Sequence, residues 1–422
     1  MKRVSLRSAV LASFVLGACS GGNSIDWAGT VTDSAGVTIV HNPAEGVWNV
    51  NSGWDVEEEL RIGTADGDPD YMFGSISGIA VTADGSIYVL DTQASLIRAF
   101  DQSGVLQLSF GSKGSGPGQI QLGAGPIIAG AGDTLYVPDV SNRRVNRYTT
   151  DGIMAGSFLL QLEQGLPFKW EATESGTIVN QVRRLAAPGQ VPDTMDLVAE
   201  RNAEGAAIDT LLRFRSGRTF SFSGGAPGMK MFAPEPMWTL ASGGGVWHGV
   251  NDDYRIGLYE AGSLAKTITK PFEMIPVTER DIDVIKTAMK RLFQSMGLPP
   301  QALQFMEQGL SFGEYLPAYA QFLQGPIGSV WVQHMVRPGE MSEQQIAAFN
   351  PQLGMGSPNW DIFDSRGRFL GTLNMPDRFQ PVRFVANNVY GVWRDDLDVQ
   401  YVMKLRITGL PGADTGAIPI AD

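Results

Sequence analysis

The stretch IYVLDTQASLIRAFDQSGVLQLSFGSKGSGPGQI, residues 87–120, contains the unit from which the chain is built. Short runs rich in Val, Ile, Leu and Phe alternate with turns that contain Gly, Asp or Ser, a pattern typical of antiparallel hairpins. A second copy, LYVPDVSNRRVNRYTTDG, begins at Leu135, 48 residues after Ile87. A period of about 40 to 50 residues indicates stacked supersecondary units.

Four further segments repeat the strand opener: GTIVNQ from Gly176, GGVWHG from Gly244, GSVWVQ from Gly328 and NNVYGV from Asn387. A second column supports the count, because a strand, a polar turn and a glycine recur in every unit. These glycines are Gly104, Gly152, Gly205, Gly262, Gly367 and Gly409. Four strands per unit and six units predict an all-β fold, a six-bladed β-propeller of four-stranded antiparallel blades.

The sixth unit is one strand short, because no convincing strand follows Gly409. Two strand-like pieces near the N-terminus are candidates to complete it, GVTIVHN (residues 36–42) and ELRIG (residues 59–63). Pairing an N-terminal strand with the last blade closes the ring and removes open sheet edges. We expect the propeller to occupy residues 36–422.

One segment breaks the period, at about residues 277–310 in the fifth blade. It carries apolar residues on one helical face, at Ile282, Ile285, Met289, Leu292 and Met296. Thr278 followed by Asp281 resembles a capping box, and a second helix is predicted from Gln301 to Gln308. We interpret the segment as a helical insertion that either covers an apolar patch or forms a lid over the central channel.

The N-terminus predicts the cellular address. MKRVSLRSAVLASFVLGAC has basic residues, then an apolar run, then small residues, which is typical of a secretory signal over residues 1–18. LGAC resembles the bacterial lipobox, and this resemblance implies that Cys19 becomes the lipidated N-terminal residue. Cys19 is the only cysteine, so no internal disulfide is possible. We expect a protein of the cell envelope, lipid-anchored to a membrane through a tether over residues 19–35 and facing the periplasm or the cell surface.

Charge limits the partners. Cleavage before Cys19 removes three of the 32 basic residues and none of the 44 acidic ones, so the mature chain has a formal charge of −15. A strongly acidic chain is a poor match for nucleic acid or for an anionic membrane surface. An unknown protein or small-molecule ligand remains as the partner.

The first two units resemble NHL-type repeats, in which a strand ending in Asp, a polar turn, a second strand, Asp-x-x-Gly and a Gly-Pro-Gly linker recur. The resemblance implies a structural role for Asp91 and Asp139, which would accept backbone N–H bonds and pair with an arginine such as Arg144. Together with the lipobox, the chain is similar to bacterial six-bladed propeller lipoproteins, many of which have no assigned activity. This fold does not determine a function.

The glycine-rich stretch FGSKGSGPGQI, residues 110–120, could bind a phosphate or connect two blades. It lies between two strands and does not open a helix, so the helix N-terminus that a phosphate loop needs is missing. A related segment recurs as FSFSGGAPGMKMF at residues 220–232. We therefore predict a linker between blades, with Lys113 exposed to solvent.

Metal-assisted chemistry would need a group of metal ligands, and the chain has few histidines and a single cysteine. His41, His248 and His334 are the only histidines and could bind Zn²⁺ if they met. Ca²⁺ prefers several oxygen ligands. Candidate oxygen ligands at the channel are Asp91, Asp139, Asn251, Asp252 and Asp395.

Two arginines, Arg383 and Arg394, lie in otherwise apolar strands. Each could bind a carboxylate or a sugar acid, or could pair with Asp395 or Asp396 at a strand end. No complete catalytic motif is present. We therefore predict a binding or scaffolding platform without catalysis, with a Ca²⁺- or Zn²⁺-assisted hydrolase or lyase at the central channel as the alternative. The candidate channel or ligand-binding residues are Asp91, Asp139, His248, His334, Arg383 and Arg394.

Overall fold

The computed structural model of the chain describes residues 27–48, 53–121, 123–183, 195–217, 220–223, 226–295, 299–351 and 354–410. The signal segment and Cys19 lie outside these ranges, as do Met296 and the residues after 410. None of the helices within them is long and apolar enough to cross a membrane.

The first half of the propeller follows three N-terminal strands, β1 (Thr30–Ser34), β2 (Val37–His41) and β3 (Asp55–Ile62). The first blade consists of β4 (Ile76–Val81), β5 (Ile87–Asp91), β6 (Leu96–Phe100) and β7 (Leu106–Phe110). The second consists of β8 (Ile128–Ala129), β9 (Thr134–Asp139), β10 (Arg144–Thr149) and β11 (Met154–Leu159). The third consists of β12 (Leu166–Ala172), β13 (Ile178–Arg183), β14 (Met195–Arg201) and β15 (Ala207–Arg215).

The second half contains the additional elements. A hairpin, β16 (Phe220–Ser223) and β17 (Ala226–Met231), precedes the fourth blade of β18 (Pro236–Leu240), β19 (Val246–Val250), β20 (Arg255–Glu260) and β21 (Ser263–Thr269). Helices α1 (Glu279–Ser295) and α2 (Pro300–Gln308) and strand β22 (Leu310–Phe312) follow. The fifth blade consists of β23 (Gln321–Gln324), β24 (Val330–Met335), β25 (Gly356–Phe363) and β26 (Phe369–Asn374), with α3 (Glu343–Ala348) between its second and third strands. The sixth has β27 (Phe379–Val385), β28 (Asn388–Arg394) and β29 (Gln400–Thr408).

The predicted six-bladed propeller is confirmed, and an N-terminal strand closes its ring. Strand β3 pairs antiparallel with β29, so the ELRIG segment supplies the missing outer strand of the sixth blade. The GVTIVHN segment does not complete this blade: β2 pairs in parallel with β21 and extends the fourth blade, with β1 beyond it. Burial explains this position, because Val40 of β2 is fully buried. Strand β1 lies within residues 19–35, the expected tether.

The core is divided among the junctions between blades. Each of six buried apolar clusters combines side chains from two neighbouring blades. At the junction of the fifth and sixth blades, for example, Trp331 and Trp360 are fully buried and Trp331 packs on Phe384 with ring centroids 4.9 Å apart. These two tryptophans therefore stabilise the packing of the two blades.

One face of the disc collects the ends of all second strands, because strands alternate in direction within a blade and successive blades repeat the pattern. We call it the upper face and define it by the last residues of these strands, Asp91, Asp139, Arg183, Val250, Met335 and Arg394. The fourth strand runs parallel to the second, so the connections from one blade to the next also lie on this face. Residues 111–127 form one such connection between β7 and β8, which confirms the linker prediction.

The helical insertion is confirmed and lies in the connection between β21 and β23. Thr278 and Asp281 form the capping box at the start of α1: the Thr278 N–H donates to Asp281 Oδ2 over 2.8 Å and the Asp281 N–H donates to Thr278 Oγ1 over 3.2 Å. Ile285 and Met289 are buried in an apolar cluster that also contains Phe232 and Leu316. The related glycine-rich segment at residues 220–232 contains the β16–β17 hairpin, which pairs with β22 beside these helices.

Candidate functional site

Asp91 ends the second strand of the first blade and is used entirely in holding a turn. Its carboxylate accepts the backbone N–H groups of Gly74 and Ser75, each over 3.0 Å, and pairs with Arg98 at 3.1 Å. Burial alone would raise the pKa of Asp91, but the donated backbone hydrogen bonds and Arg98 outweigh it, so this pKa is lowered. These contacts fit the structural role that the repeat resemblance implied.

Asp139 holds the equivalent turn of the second blade, with a different partner from the one that was expected. It accepts the N–H of Gln121 over 3.0 Å and both the backbone and the side-chain N–H of Asn142, over 2.9 and 2.8 Å. The expected pairing with Arg144 is wrong, because the Arg144 guanidinium donates to the carbonyls of Ser115 and Gly116.

The glycine-rich linker is held by alternate side chains of β10. Besides Arg144, Asn146 donates to the Gln119 carbonyl over 3.1 Å and the Tyr148 hydroxyl donates to the Gly118 carbonyl over 2.9 Å. Residues two apart on a strand share a face, so three successive positions of one face bind the linker. Four carbonyl oxygens of the linker therefore already accept hydrogen bonds from β10. Lys113 is exposed to solvent, as predicted.

His248 lies in a closed apolar environment in the fourth blade. Its ring packs 4.6 Å from Phe214 and 5.9 Å from Tyr259, and its Nε2 atom is buried without a hydrogen-bond partner. Burial lowers the pKa of His248 to about 4, since the charged form loses its solvation. His41 is separate from it, at the exposed end of strand β2, with its ring nitrogens facing the hydroxyls of Thr32 and Thr269.

His334 belongs to a charged network at the seam between the fourth and fifth blades. Its Nε2 atom lies 2.8 Å from Oδ1 of Asp361, a buried carboxylate in β25. Lys270, which follows β21, donates to Oδ2 of Asp361 over 2.7 Å, and the Tyr254 hydroxyl donates to the same oxygen over 2.7 Å. Thr372 donates to Oδ1 over 2.8 Å. Asp361 therefore links strands of two blades.

The contacts of Asp361 with His334, Lys270, Tyr254 and Thr372 favour its ionised form. Burial alone would raise the pKa of this carboxyl, but hydrogen bonding and charge from His334 and Lys270 hold the pKa well below its ordinary value. Lys270 is itself enclosed, because its Nζ lies 3.9 Å from the centroid of the Phe369 ring. Asp361 was not among the candidate residues predicted from the sequence. The available signal was a carboxylate inside the apolar strand NWDIF.

Arg383 lies in β27, the innermost strand of the sixth blade, and faces charge from the opposite side of the ring. Burial lowers the pKa of Arg383, and the Glu171 carboxylate, in the innermost strand of the third blade, acts in the opposite direction. Glu171 is already engaged, since it accepts the Leu240 N–H over 2.8 Å and pairs with Lys169 at 2.7 Å. The third and sixth blades lie across the ring, so these residues mark the channel.

Arg394 ends the second strand of the sixth blade and is poorly neutralised. Its side chain is only 12% exposed, its Nε is buried without a partner, and the nearest carboxylate is Oδ1 of Asp398 at 3.7 Å. Burial lowers the pKa of Arg394, and Asp398 opposes that change. Asp395, one of the partners that the sequence offered, instead accepts the N–H groups of Leu397 and Val399 in its own turn.

A groove of about 1910 Å³ opens on the upper face beside Arg394. We call it the upper-face groove. One wall comes from α1, another from residues 340–350 around α3, and a third from residues 376–382 and 393–398 of the sixth blade. Its floor is formed by the end of β24 and the start of β25. Of the six candidate residues, His334 and Arg394 line it, whereas Asp91, Asp139, His248 and Arg383 lie elsewhere.

The proposed metal ligands do not form a cluster in the described part of the chain. There, no group of three or more His, Cys, Asp and Glu side chains is arranged to hold a metal ion. Asn251, a candidate calcium ligand, is buried, and its side chain is hydrogen-bonded to backbone groups. It accepts the Glu235 N–H over 2.7 Å and donates to the Tyr319 carbonyl over 2.8 Å. Asp252, beside it, is exposed in the following turn.

Solved structures with this fold are distant in sequence. A protein named "Putative exported protein" from Bacteroides fragilis aligns with a TM-score of 0.51 and 14% identity over 88% of this chain and 99% of that one. Virginiamycin B lyase from Staphylococcus aureus aligns with a TM-score of 0.40 and 12% identity over 84% and 99%. The PQQ-bound aldose sugar dehydrogenase from Streptomyces coelicolor aligns with a TM-score of 0.42 and 9% identity over 84% of this chain and 99% of that one. At these identities the likeness concerns the fold alone.

No protein-family description matches the chain, and no curated protein matches it.

Proposed function

We propose that the protein is an extracytoplasmic, lipid-anchored binding platform that holds an elongated, carboxylate-bearing ligand in its upper-face groove. Arg394 is the observation that carries this proposal. A guanidinium that is mostly removed from water, with its closest carboxylate at 3.7 Å, lacks full compensation for its lost solvation. A carboxylate of the ligand would supply that compensation and could accept two parallel hydrogen bonds from the guanidinium.

The size and lining of the groove support an extended ligand. Its volume of about 1910 Å³ exceeds the roughly 300 to 1000 Å³ of sites for single small molecules. Polar side chains such as Gln321 and Gln333 share the lining with Met341 and Phe349. A short oligomer with both polar and apolar surfaces fits such a lining better than a compact metabolite.

The location rests on the sequence. The signal segment and the LGAC sequence that ends at Cys19 support export and lipidation, and the acidic composition disfavours nucleic acid as a partner. Mass spectrometry of the N-terminal peptide from the native host tests the anchor: a diacylglyceryl group on Cys19 is expected. An unmodified Cys19 would contradict the anchor without affecting the groove.

Binding is tested by thermal shift with pairs of ligands that differ in one carboxylate, such as trigalacturonic acid against galactotriose and an acidic pentapeptide against its amidated form. We expect the acidic member of at least one pair to stabilise the protein. Arg394→Gln should weaken that binding about tenfold, the loss of one charge-assisted hydrogen bond. Arg366→Gln, at an exposed turn on the opposite face, is the matched control. Equal shifts within every pair would contradict the proposal.

A hydrolase or lyase is the second candidate, and the His334–Asp361 pair favours it. A carboxylate that orients an imidazole at the edge of a groove is an arrangement that general-base catalysis uses. His334→Gln separates the two functions. If the protein is a platform, this variant binds the acidic ligand and no product forms with either protein; if it is an enzyme, turnover of the bound ligand by the wild type is lost in the variant.

A further inference from the structure

The innermost strands of the six blades surround the central channel and carry few charged side chains. In ring order they are β27, β4, β8, β12, β18 and β23. Their charged residues are Lys169, Glu171 and Arg383. Two positive charges and one negative charge leave +1 on these strands, in a chain whose formal net charge is −12. The channel wall is therefore a small positive region within an acidic protein.

The strand register places Glu171 and Arg383 at the same height on opposite sides of the channel. Glu171 pairs with Val179. Arg383 pairs with Tyr390. Val179 and Tyr390 hold the same place in the repeated strand openers GTIVNQ and NNVYGV, and the third and sixth blades lie across the ring. The corresponding residues of the other innermost strands are uncharged, and we call all six the channel layer: Ala80, Ile128, Glu171, Thr239, Leu323 and Arg383.

Within the channel layer, Glu171 is neutralised by neighbours on its own side. Its Oε1 atom lies 2.7 Å from Nζ of Lys169, and its Oε2 atom accepts the Leu240 N–H over 2.8 Å. The Thr239 hydroxyl donates to the same Oε2 atom over 3.3 Å. Both oxygens of this carboxylate are therefore engaged, and its charge is shared mainly with Lys169.

Arg383 has no such partner. Among the residues that the structure describes, none forms a hydrogen bond or an ion pair with its guanidinium, and the carboxylate that acts on it is Glu171, across the channel. The side chain is nevertheless partly buried. Burial lowers the pKa of Arg383, because its charged form has lost part of its hydration. A ligand that carries a negative charge would replace that hydration.

The surroundings of Arg383 indicate which kind of anion fits. Solvent reaches the channel at this height, since the side chains of Lys169 and Glu171 are 37% and 20% exposed. Leu323 of the channel layer is also partly exposed and offers an apolar contact. A single negative charge matches the net +1 of the innermost strands. A doubly charged phosphate would leave an excess of negative charge facing Glu171.

We propose that the central channel is a binding site for a small aliphatic carboxylate, which Arg383 holds at the channel layer. A carboxylate can accept two parallel hydrogen bonds from one guanidinium, and a short aliphatic chain can lie against Leu323. This site is separate from the upper-face groove, whose lining includes Val382 but not Arg383. It does not depend on the ligand that we propose for the groove.

The experiment compares butyrate with butyramide, which has the same aliphatic chain but no charge, by thermal shift of the full-length protein in equal sodium chloride. We expect butyrate to raise the unfolding temperature with the logarithm of its concentration and butyramide to leave it unchanged. Each variant is compared with its own ligand-free value. Arg383→Gln should weaken butyrate binding by about tenfold or more. Arg366→Gln, at the exposed turn on the opposite face, is the matched control.

Two variants of the opposite wall change the affinity in opposite directions. Glu171→Gln removes the negative charge that faces the ligand, so it should strengthen butyrate binding several-fold. A variant that only damaged the fold would not bind more tightly. Lys169→Met leaves Arg383 as the remaining cation of the innermost strands to neutralise Glu171, so it should weaken butyrate binding several-fold.

Three results would overturn the channel site. The first is an equal response of the wild type to butyrate and butyramide. The second is a butyrate response that survives Arg383→Gln but is lost in Arg394→Gln, which would assign the acid to the upper-face groove and leave the proposed function intact. The third is an affinity for butyrate that Glu171→Gln leaves unchanged, since the ligand would then lie far from the channel layer.

Discussion

The repeated glycine between the third and fourth strands of each blade is required by the neighbouring blade as well as by its own turn. Gly152 has φ of +82°, and a Cβ at this position would lie 2.8 Å from Cδ1 of Phe110, on the outer strand of the first blade. Gly104 and Gly367 face the outer strand of the blade before them in the same way. Gly262 differs: its φ is +74°, but a Cβ there would meet nothing within 4 Å.

Gly152→Ala and Gly262→Ala should therefore separate the two requirements. The left-handed backbone costs an alanine roughly 1 to 2 kcal/mol at either position, and the clash with Phe110 adds about 1 to 3 kcal/mol at position 152 only. Urea unfolding followed by tryptophan fluorescence measures the difference. Equal midpoints for the two variants would show that blade stacking does not depend on this glycine.

His248 makes stability depend on pH. Because its pKa is lowered from 6.5 to about 4 in the folded chain, the unfolded chain binds a proton between these values that the folded chain does not. The free energy of unfolding therefore falls as the pH drops from about 6.5 to 4, by about 1 to 3 kcal/mol from this residue. His248→Leu should remove that part of the slope. Parallel curves for the wild type and the variant from pH 8 to pH 4 would contradict the closed environment of the ring.

The sequence predicted residues whose role is local and missed those whose role is long-range. Asp91 could be recognised because the donors of its turn and Arg98 lie within the same repeat. Arg144 could not be assigned, since its acceptors, the Ser115 and Gly116 carbonyls, lie 29 and 28 residues earlier in the glycine-rich linker, whose path the repeat pattern does not specify. Asp361 likewise finds Lys270 and Tyr254 on the preceding blade.

At the scale of elements, the strand order shows a similar limit. The repeat spacing predicted six blades and an incomplete last one, because hairpins are local in sequence. It could not decide between β2 and β3 as the closing strand, since each is a short piece that alternates in the manner of a strand and lies outside the repeats. The choice depends on which outer strand each piece can cover, and β21 and β29 are more than 200 residues away from them.

Asp361 is the main electrostatic link between the fourth and fifth blades. Asp361→Asn removes the charge that compensates Lys270, which is mostly buried, and should lower the free energy of unfolding by about 3 kcal/mol. The double variant Asp361→Asn with Lys270→Met should recover part of this loss, because no unpaired charge remains. Glu340→Gln, which breaks an exposed ion pair with Arg337, should cost less than about 1 kcal/mol. Chemical denaturation measures all three, and a double variant less stable than Asp361→Asn would contradict the role of the unpaired lysine.

For the whole molecule, the ring explains why candidate residues chosen from separate repeats end far apart. Residues at equivalent positions of six blades are distributed around a circle, so a similar place in each repeat does not bring side chains together. His334 and Arg394 line one groove because they belong to neighbouring blades and because residues 336–350 and α1 enclose the space beside them. Those enclosing segments interrupt the repeats, and no sequence pattern indicates that they pair with each other. Asp281 of α1 accepts the Gly339 N–H over 2.7 Å, a contact that joins the two segments.

This distribution also predicts how the protein responds to metal ions. The three histidines lie in separate environments, and within the described ranges no cluster of ligands is formed. A metal that bound the folded state tightly would raise the unfolding temperature in proportion to the logarithm of its concentration. We therefore expect the same unfolding temperature after dialysis against EDTA, with added Ca²⁺ and with added Zn²⁺, and no stoichiometric metal by mass spectrometry of the purified protein. One Ca²⁺ or Zn²⁺ retained per chain, or a clear fall in unfolding temperature in EDTA, would contradict the platform without metal and favour a metal-assisted hydrolase or lyase.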